Sequence, residues 1–206
     1  MIITKEFEVE MSHIVRNCST NRCKHSIHGH SAKIKVSLEA RTLDNAQMIY
    51  DFGLMKGSIK QFIDSFDHCH VMWSADKEDY INACKQWSDR WIVLPFNPSA
   101  EMLSLFFTSA IQAILDCTIK RNEEGTILVH SVEYFETRTG SAKSFNKDMR
   151  EMLPNIFNIS GESPVFSPAV VNDWSTDLYE WFKKGVSKQE NLQIAWFENP
   201  KLDKQV

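Results

Sequence analysis

The hydrophobic period of the chain changes twice, from two residues to about 3.6 and back, and this limits the possible folds more than any other feature. Residues 33–39, KIKVSLE, alternate apolar and polar side chains, with Ile34, Val36 and Leu38 on one side. Residues 3–12, ITKEFEVEMS, place Ile3, Phe7, Val9 and Met11 on one face in the same way. Successive side chains of a strand point to opposite faces of a sheet, so both segments are expected as half-buried strands forming an antiparallel pair. From Asp51 the positions of Phe52, Met55, Ile59, Phe62, Ile63 and Phe66 take helical spacing and predict a helix of about 13 residues. A second helix is expected from NPSAE at 97–101, with Asn97 as cap, Pro98 in the first turn and Glu101 facing the positive helix end. The alternation returns in TILVHSVEYFE at 126–136, and the glycine turn in TRTGSA leads to a short strand from Ser141 to Phe145. The order strand, strand, helix, helix, strand, strand predicts an α+β domain. Residues 73–90 are charged and carry tryptophans, and are expected as an exposed excursion. After 146 the regularity breaks at Pro154, Pro164, Pro168 and Pro200, and only residues 173–186 are amphipathic. The expected division is a domain over 1–146 and a C-terminal extension over 147–206.

Composition excludes several classes of function. With 206 residues the chain can bury a core without disulfides, and its five cysteines form no CxxC pair, so neither a disulfide framework nor a cysteine-rich zinc knuckle is expected. Basic residues number 23 against 27 acidic ones, without a basic stripe, so no nucleic-acid partner is expected. The start, MIITKEFEVEM, alternates charged and apolar side chains and does not read as a signal peptide. The apolar run at 103–115 is too short to span a bilayer. A cytoplasmic protein without membrane contact is expected.

Chemistry concentrates in RCKHSIHGHSAKIKV, residues 22–36. His28 and His30 are two apart, so on a strand both imidazoles point to one face, and His13 comes beside them if the first two strands pair. Three neutral imidazoles with a fourth position left open describe a catalytic zinc site. A chain with seven histidines also produces an HxH pair by chance, so the pair alone leaves an ordinary strand start open. Cys23 lies between Arg22 and Lys24, whose charge favours the thiolate, and Cys18, after Arg16, is its rival. Asp67-His68 is a candidate acid–base pair or a helix C-terminal cap. Glu136-Thr137 ends a strand, where a carboxylate either accepts two hydrogen bonds from an amino-heterocycle edge or is simply solvated.

Taken in order, His13, Cys23, His28-Gly29-His30, MIYDFG at 48–53, FDH at 66–68, NPSAE at 97–101 and FET at 135–137 resemble the 6-pyruvoyl-tetrahydropterin synthase and 6-carboxytetrahydropterin synthase family. The resemblance implies the tunnelling fold (T-fold), a four-stranded antiparallel sheet with two helices on one face, here followed by the C-terminal extension. It implies homo-oligomers, trimers or hexamers, with active sites at subunit interfaces, and Zn²⁺ bound by residues matching His13, His28 and His30. The implied substrate is 7,8-dihydroneopterin triphosphate. Cys23 matches the family's general base, Asp67 and His68 its proton relay, supplied by a neighbouring subunit, and Glu136 its pterin anchor, with Ser99 and Thr137 assisting. Cys23 sets the chain apart from the branch that carries Glu at that position. NPSAE and HSIHGHS resemble the bacterial enzymes that form 6-carboxy-5,6,7,8-tetrahydropterin with release of acetaldehyde and triphosphate, in the route to queuosine. A pyruvoyl-forming synthase and a non-catalytic pterin-binding homologue are the alternatives. The chain departs from the family pattern in FDHCHVM, where LDHxxLN is usual, in Ala32, and in the four residues between Cys23 and His28.

Overall fold

The computed structural model describes residues 1–187 and 197–201; the remainder of the expected extension lies outside the described residues. In chain order the elements are β1 (Ile2–His13), α1 (Asn21–His25), β2 (His28–Ala40), a 3-10 turn (Leu54–Lys56), α2 (Ser58–Asp64), β3 (Cys69–Trp73), α3 (Glu78–Trp87), β4 (Trp91–Leu94), α4 (Ala100–Asp116) and β5 (Thr118–Ile119). There follow β6 (Ile127–Phe135), β7 (Ser141–Phe145), α5 (Asn146–Met152), β8 (Val165–Phe166), α6 (Pro168–Val171), α7 (Thr176–Val186) and β9 (Phe197–Glu198).

The α+β class holds, but the sheet has seven strands where four were expected. Their order is β7-β6-β2-β1-β3-β4-β8, and β5 and β9 form a separate pair. The four expected strands form one antiparallel half of this sheet. To it β3 and β4 add in parallel, and β8 closes the edge antiparallel to β4. The added strands escape a period-two search because CHVMW and WIVL are buried on both faces and read as short apolar runs. They flank the stretch at 73–90 expected as an exposed excursion, which holds α3 and buries no residue.

Two helices also differ from expectation. The first is split, because Gly57, at φ −80° and ψ −124°, breaks it between the 3-10 turn and α2. The second is capped by Ser99, whose Oγ accepts from Met102 N at 3.4 Å. Asn97 instead binds the Arg16 backbone, donating from Nδ2 to its carbonyl and accepting from its amide.

The core lies on one face of the sheet. Phe7, Val9 and Met11 of β1, Ile34, Val36 and Leu38 of β2, and Val129, Val132 and Tyr134 of β6 pack there with α2 and α4, through Phe62, Phe66, Phe106 and Ile111. The opposite face is polar along β1 and β2, with Glu6, Glu8, Glu10, Ser31 and Lys33 exposed. The segment after β7 joins the same core: Phe166, Val170, Trp174, Leu178 and Trp181 are buried in it, and Trp174 Nε1 donates to Ser65 Oγ at 2.7 Å. Among the described residues no helix is long and apolar enough to cross a membrane.

Candidate active site

The β1–β2 register pairs His13 with His28 and Met11 with His30. Directly paired residues and those two further along a strand share a face. The three histidines therefore converge, with ring centroids 4.7 Å apart for His13 and His28 and 5.1 Å for the other two pairs. One nitrogen from each ring lies within 4.8 Å of the others.

Backbone carbonyls orient two of the rings. His13 Nδ1 is 2.8 Å from the Pro98 carbonyl and His28 Nδ1 is 2.9 Å from that of Ser26. A carbonyl only accepts, so the proton sits on Nδ1 and the Nε2 lone pair faces the cluster. His13 is fully buried, and among the described residues neither its Nε2 nor that of His30 has a hydrogen-bond partner. Both face Glu136 Oε1, at 3.3 and 3.7 Å. Burial, then the neighbouring His28 and His30, push the His13 pKa down to about 4, so the ring is neutral at pH 7. Burial likewise lowers that of His30, opposed by Glu136 and assisted by His28. The neutral lone pair of His13 thus faces a carboxylate oxygen with no proton between them, an arrangement that a cation satisfies. Three imidazoles beside a carboxylate suit a divalent metal of the zinc kind, and the residues present fit one.

The remaining predicted residues surround this cluster at different distances. Glu136 follows the end of β6 and, with His30, Ser31, Phe135, Thr137 and Arg138, lines an open cavity of about 690 Å³. That volume suits a small heterocyclic ligand. Thr137 Oγ1 accepts from the amides of Thr139 and Gly140, so its hydroxyl holds the β6–β7 turn. Ser99 is engaged as the α4 cap, one residue past the carbonyl that orients His13. Cys23 is half-buried in α1, and its carbonyl accepts from Val15 N, which ties the loop to β1 just past His13. Its thiol makes no hydrogen bond among the described residues, whereas that of Cys18 donates to Thr20 O at 3.3 Å.

Asp67 and His68 lie on the turn after α2, clamped to one residue of β1. Asp67 Oδ1 accepts from Glu10 N at 2.8 Å and His68 N donates to Glu10 O at 2.6 Å. His68 adopts the left-handed conformation, at φ 56°, and its exposed ring opens on a second cavity, which His30 also lines. The structure brings His68 to a cavity shared with the histidine cluster but not into contact with it.

Two neighbours were not singled out from the sequence. His70, two residues past His68, is buried, with Nδ1 2.8 Å from Ser12 Oγ and Nε2 2.6 Å from Tyr80 OH. Arg90 donates to the carbonyls of Asp67 and Asp64 and to Asp173 of the extension. His70 could have been found from its spacing to His68; Arg90 carries no local signal.

Comparisons with known proteins agree with this arrangement. The sequence profile of the family described as 6-pyruvoyl tetrahydropterin synthase matches residues 2–147. A Helicobacter pylori protein named 6-carboxy-5,6,7,8-tetrahydropterin synthase is 35% identical over 191 residues, spanning 92% of this chain and 94% of the relative. That length exceeds residues 1–146, so the similarity extends into the C-terminal segment. A Rickettsia bellii protein of the same name is 27% identical over 65% of this chain and 92% of its own length. Among solved structures, an uncharacterized protein from Wolinella succinogenes superposes with a TM-score of 0.58 at 22% identity, over 71% of this chain and 98% of its own. The Caenorhabditis elegans 6-pyruvoyl tetrahydropterin synthase does so with a TM-score of 0.50 at 14% identity, over 71% and 95%. These two likenesses bear on the fold.

Proposed function

The chain belongs to the 6-pyruvoyl tetrahydropterin synthase family, and we propose that it is a 6-carboxy-5,6,7,8-tetrahydropterin synthase. On this reading it converts 7,8-dihydroneopterin triphosphate to 6-carboxy-5,6,7,8-tetrahydropterin, releasing acetaldehyde and triphosphate, in the cytoplasmic route to queuosine. The observation that carries the reading is the cluster of His13, His28 and His30 beside Glu136 at a cavity of ligand size. The named relatives that cover most of the chain support the carboxylate-forming outcome over the pyruvoyl-forming one.

Zn²⁺ held by the three histidines supplies, when bound, Lewis acidity toward the hydroxyls of the substrate side chain. The Pro98 and Ser26 carbonyls keep the Nε2 lone pairs of His13 and His28 available, so ligation needs no change of tautomer. Glu136 accepts hydrogen bonds from the amino group and ring N–H of the pterin, and Thr137 stiffens the turn beside it. Cys23 serves as the base that removes a side-chain proton, with Cys18, whose thiol is tied to Thr20, the lesser candidate. His68, oriented by Asp67, returns protons to the substrate bound in a neighbouring subunit; its exposure on the sheet's outer side supports that use. Ser99 acts through the α4 cap, next to the carbonyl that holds His13. The same proposal includes a trimeric or hexameric assembly, and a division into a catalytic part over 1–146 and an extension over 147–206, which the end of the family match at 147 supports.

Incubation of the zinc-loaded protein with 7,8-dihydroneopterin triphosphate is expected to yield acetaldehyde and the carboxypterin in equal amounts. A pyruvoyl product without acetaldehyde, or tight pterin binding without turnover, would overturn the assignment.

A further inference from the structure

The charged excursion around α3 takes no part in the reaction assigned above, yet its residues reach back to the end of β1 on both sides of His13. Just before His13, Ser12 Oγ lies 2.8 Å from His70 Nδ1, and His70 Nε2 is 2.6 Å from the hydroxyl of Tyr80 in the first turn of α3. Just beyond it, Arg16 Nε donates to Asp76 Oδ1 at 2.6 Å and a terminal nitrogen donates to the Lys24 carbonyl at 3.2 Å, with the guanidinium carbon 5.1 Å from the centre of the Tyr80 ring. We propose that Arg16 is a positioning residue for the reaction: braced by Asp76 and Tyr80, its guanidinium holds α1 in place and so sets where the Cys23 thiol stands relative to the histidine cluster. The proposal rests on the assignment of Cys23 as base.

Three observations lead to it. The first is what α1 lacks. It is five residues long, buries none of them, and its cap residue Thr20 makes no side-chain cap. A helix of that length does not persist by itself, so its place depends on contacts from outside. Among the described residues two hydrogen bonds tie it to the segment after β1, from Val15 N to the Cys23 carbonyl at 3.1 Å and from Arg16 to the Lys24 carbonyl. The second is how firmly the guanidinium is held. The Arg16 amide donates to Asn97 Oδ1 and its carbonyl accepts from Asn97 Nδ2, which fixes the backbone. The Asp76 carboxylate is 4% exposed, so the ion pair is sheltered and escapes the weakness of a surface pair. A planar guanidinium meets a carboxylate, a carbonyl and a ring face at once, which an ammonium does not. The third is position in the chain: Lys24 directly follows Cys23, so the contact to its carbonyl acts one peptide away from the residue that bears the thiol.

Loss of the guanidinium leaves the backbone bonds to Asn97 in place and frees α1. Arg16→Ala is expected to lower kcat by about 10²-fold, the scale of a reacting group displaced by about 1 Å, with KM and the affinity for Co²⁺, read by its visible absorption, close to wild type. Guanidinium ion added in millimolar amounts should restore part of the lost rate to Arg16→Ala and none to Cys23→Ala, a response that general loss of structure does not give. In the metal-free protein, amide hydrogen exchange over residues 20–26 should quicken in Arg16→Ala while that of β1 and β2 is unchanged. Asp76→Ala, a change outside the histidine cluster, should reproduce both effects more weakly and add little to Arg16→Ala in the double variant. Wild-type kcat, or unchanged exchange over 20–26, in Arg16→Ala would overturn the proposal. If instead Cys23→Ala keeps full turnover, the base assignment itself has failed, and the proposal falls with it.

Discussion

The two halves of the sheet position their chemistry by different means. In the half formed by β7, β6, β2 and β1, strands are long, one face is buried, and twelve consecutive pairs between β1 and β2 set the register that aligns His13 with His28. A slip of one residue would turn every side chain of a strand to the wrong face, so the buried face of Phe7, Val9, Met11, Ile34, Val36 and Leu38 enforces the histidine cluster. In the half formed by β3, β4 and β8, strands are short, pairing with β1 covers only Met11 to His13, and an aromatic cluster from the C-terminal segment supplies much of the packing. Asp67 and His68 lie at the seam, held by Glu10, Arg90 and the end of α2 rather than by a ladder. Ligands fixed by register should tolerate loss of any one supporting contact, whereas the turn at the seam should not.

The sharpest separation of the halves comes from the cluster itself. His28→Ala is expected to abolish stoichiometric metal binding and to lower turnover by about 10³-fold or more, the scale of several kcal/mol of lost charge stabilisation. Its ring is only half-buried and its removal leaves the ladder intact, so urea unfolding of the metal-free protein should move little. Metal analysis and equilibrium unfolding on one preparation check both statements.

The opposite pattern is expected at Trp174. Its ring packs against Phe166 and Phe182 and its Nε1 donates to Ser65, so Trp174→Ala should cost about 3–5 kcal/mol of stability while metal affinity in the folded protein is unchanged. Because these residues share the core of α2 and α4, unfolding should remain one transition. Two resolved transitions in calorimetry would mean that the C-terminal segment is a separate unit and that the halves are less coupled than their packing implies.

Acid acts on the register-fixed half through His13. Its pKa is about 4 in the folded protein against 6.5 for the free side chain, so between these values the unfolded chain holds a proton that the folded chain refuses. Stability of the metal-free protein is therefore full above pH 6.5, falls as pH drops toward 4, and levels off below, with a total loss of about 3 kcal/mol from this group. Urea midpoints from pH 7.5 to 4.5 measure the slope, which should flatten in His13→Gln.

The same difference between halves explains what the sequence could tell. His13, His28 and His30 were legible because strand periodicity and pairing suffice to bring them together. β3 and β4 were not, since four or five apolar residues buried on both faces carry no period that separates strand from helix. The α4 cap was placed at Asn97, two residues early, because the side chain that looks like a cap is used across the molecule on the Arg16 backbone, a contact of sequence separation 81. For Cys23, Asp67 and His68 the local pattern left alternatives open, a rival thiol at Cys18 and a helix cap, and the family resemblance chose among them. Ser99 and Thr137, expected to assist Glu136, use their hydroxyls to accept from backbone amides, which a sequence does not reveal.

Arg90 offers the smallest expected effect and the finest test of the seam. Its guanidinium donates from Nε to the Asp67 carbonyl at 2.9 Å, from one terminal nitrogen to Asp64 O at 3.3 Å and from the other to Asp173 Oδ2 at 2.5 Å. The ion pair with Asp173, whose carboxylate is 66% exposed, contributes at most about 1 kcal/mol, so Asp173→Asn should be nearly silent. The two carbonyl contacts matter more, because they hold the turn on which His68 keeps its left-handed backbone. Arg90→Ala is expected to lower kcat by about tenfold, or about 1.4 kcal/mol, with KM and Co²⁺ affinity close to wild type. Lysine presents a single ammonium where three separate acceptors are spanned, so Arg90→Lys should recover little of the loss. If Arg90→Ala instead weakened metal binding, the two halves would not be independent supports, and the cluster of His13, His28 and His30 would owe its geometry to the seam as well as to the ladder.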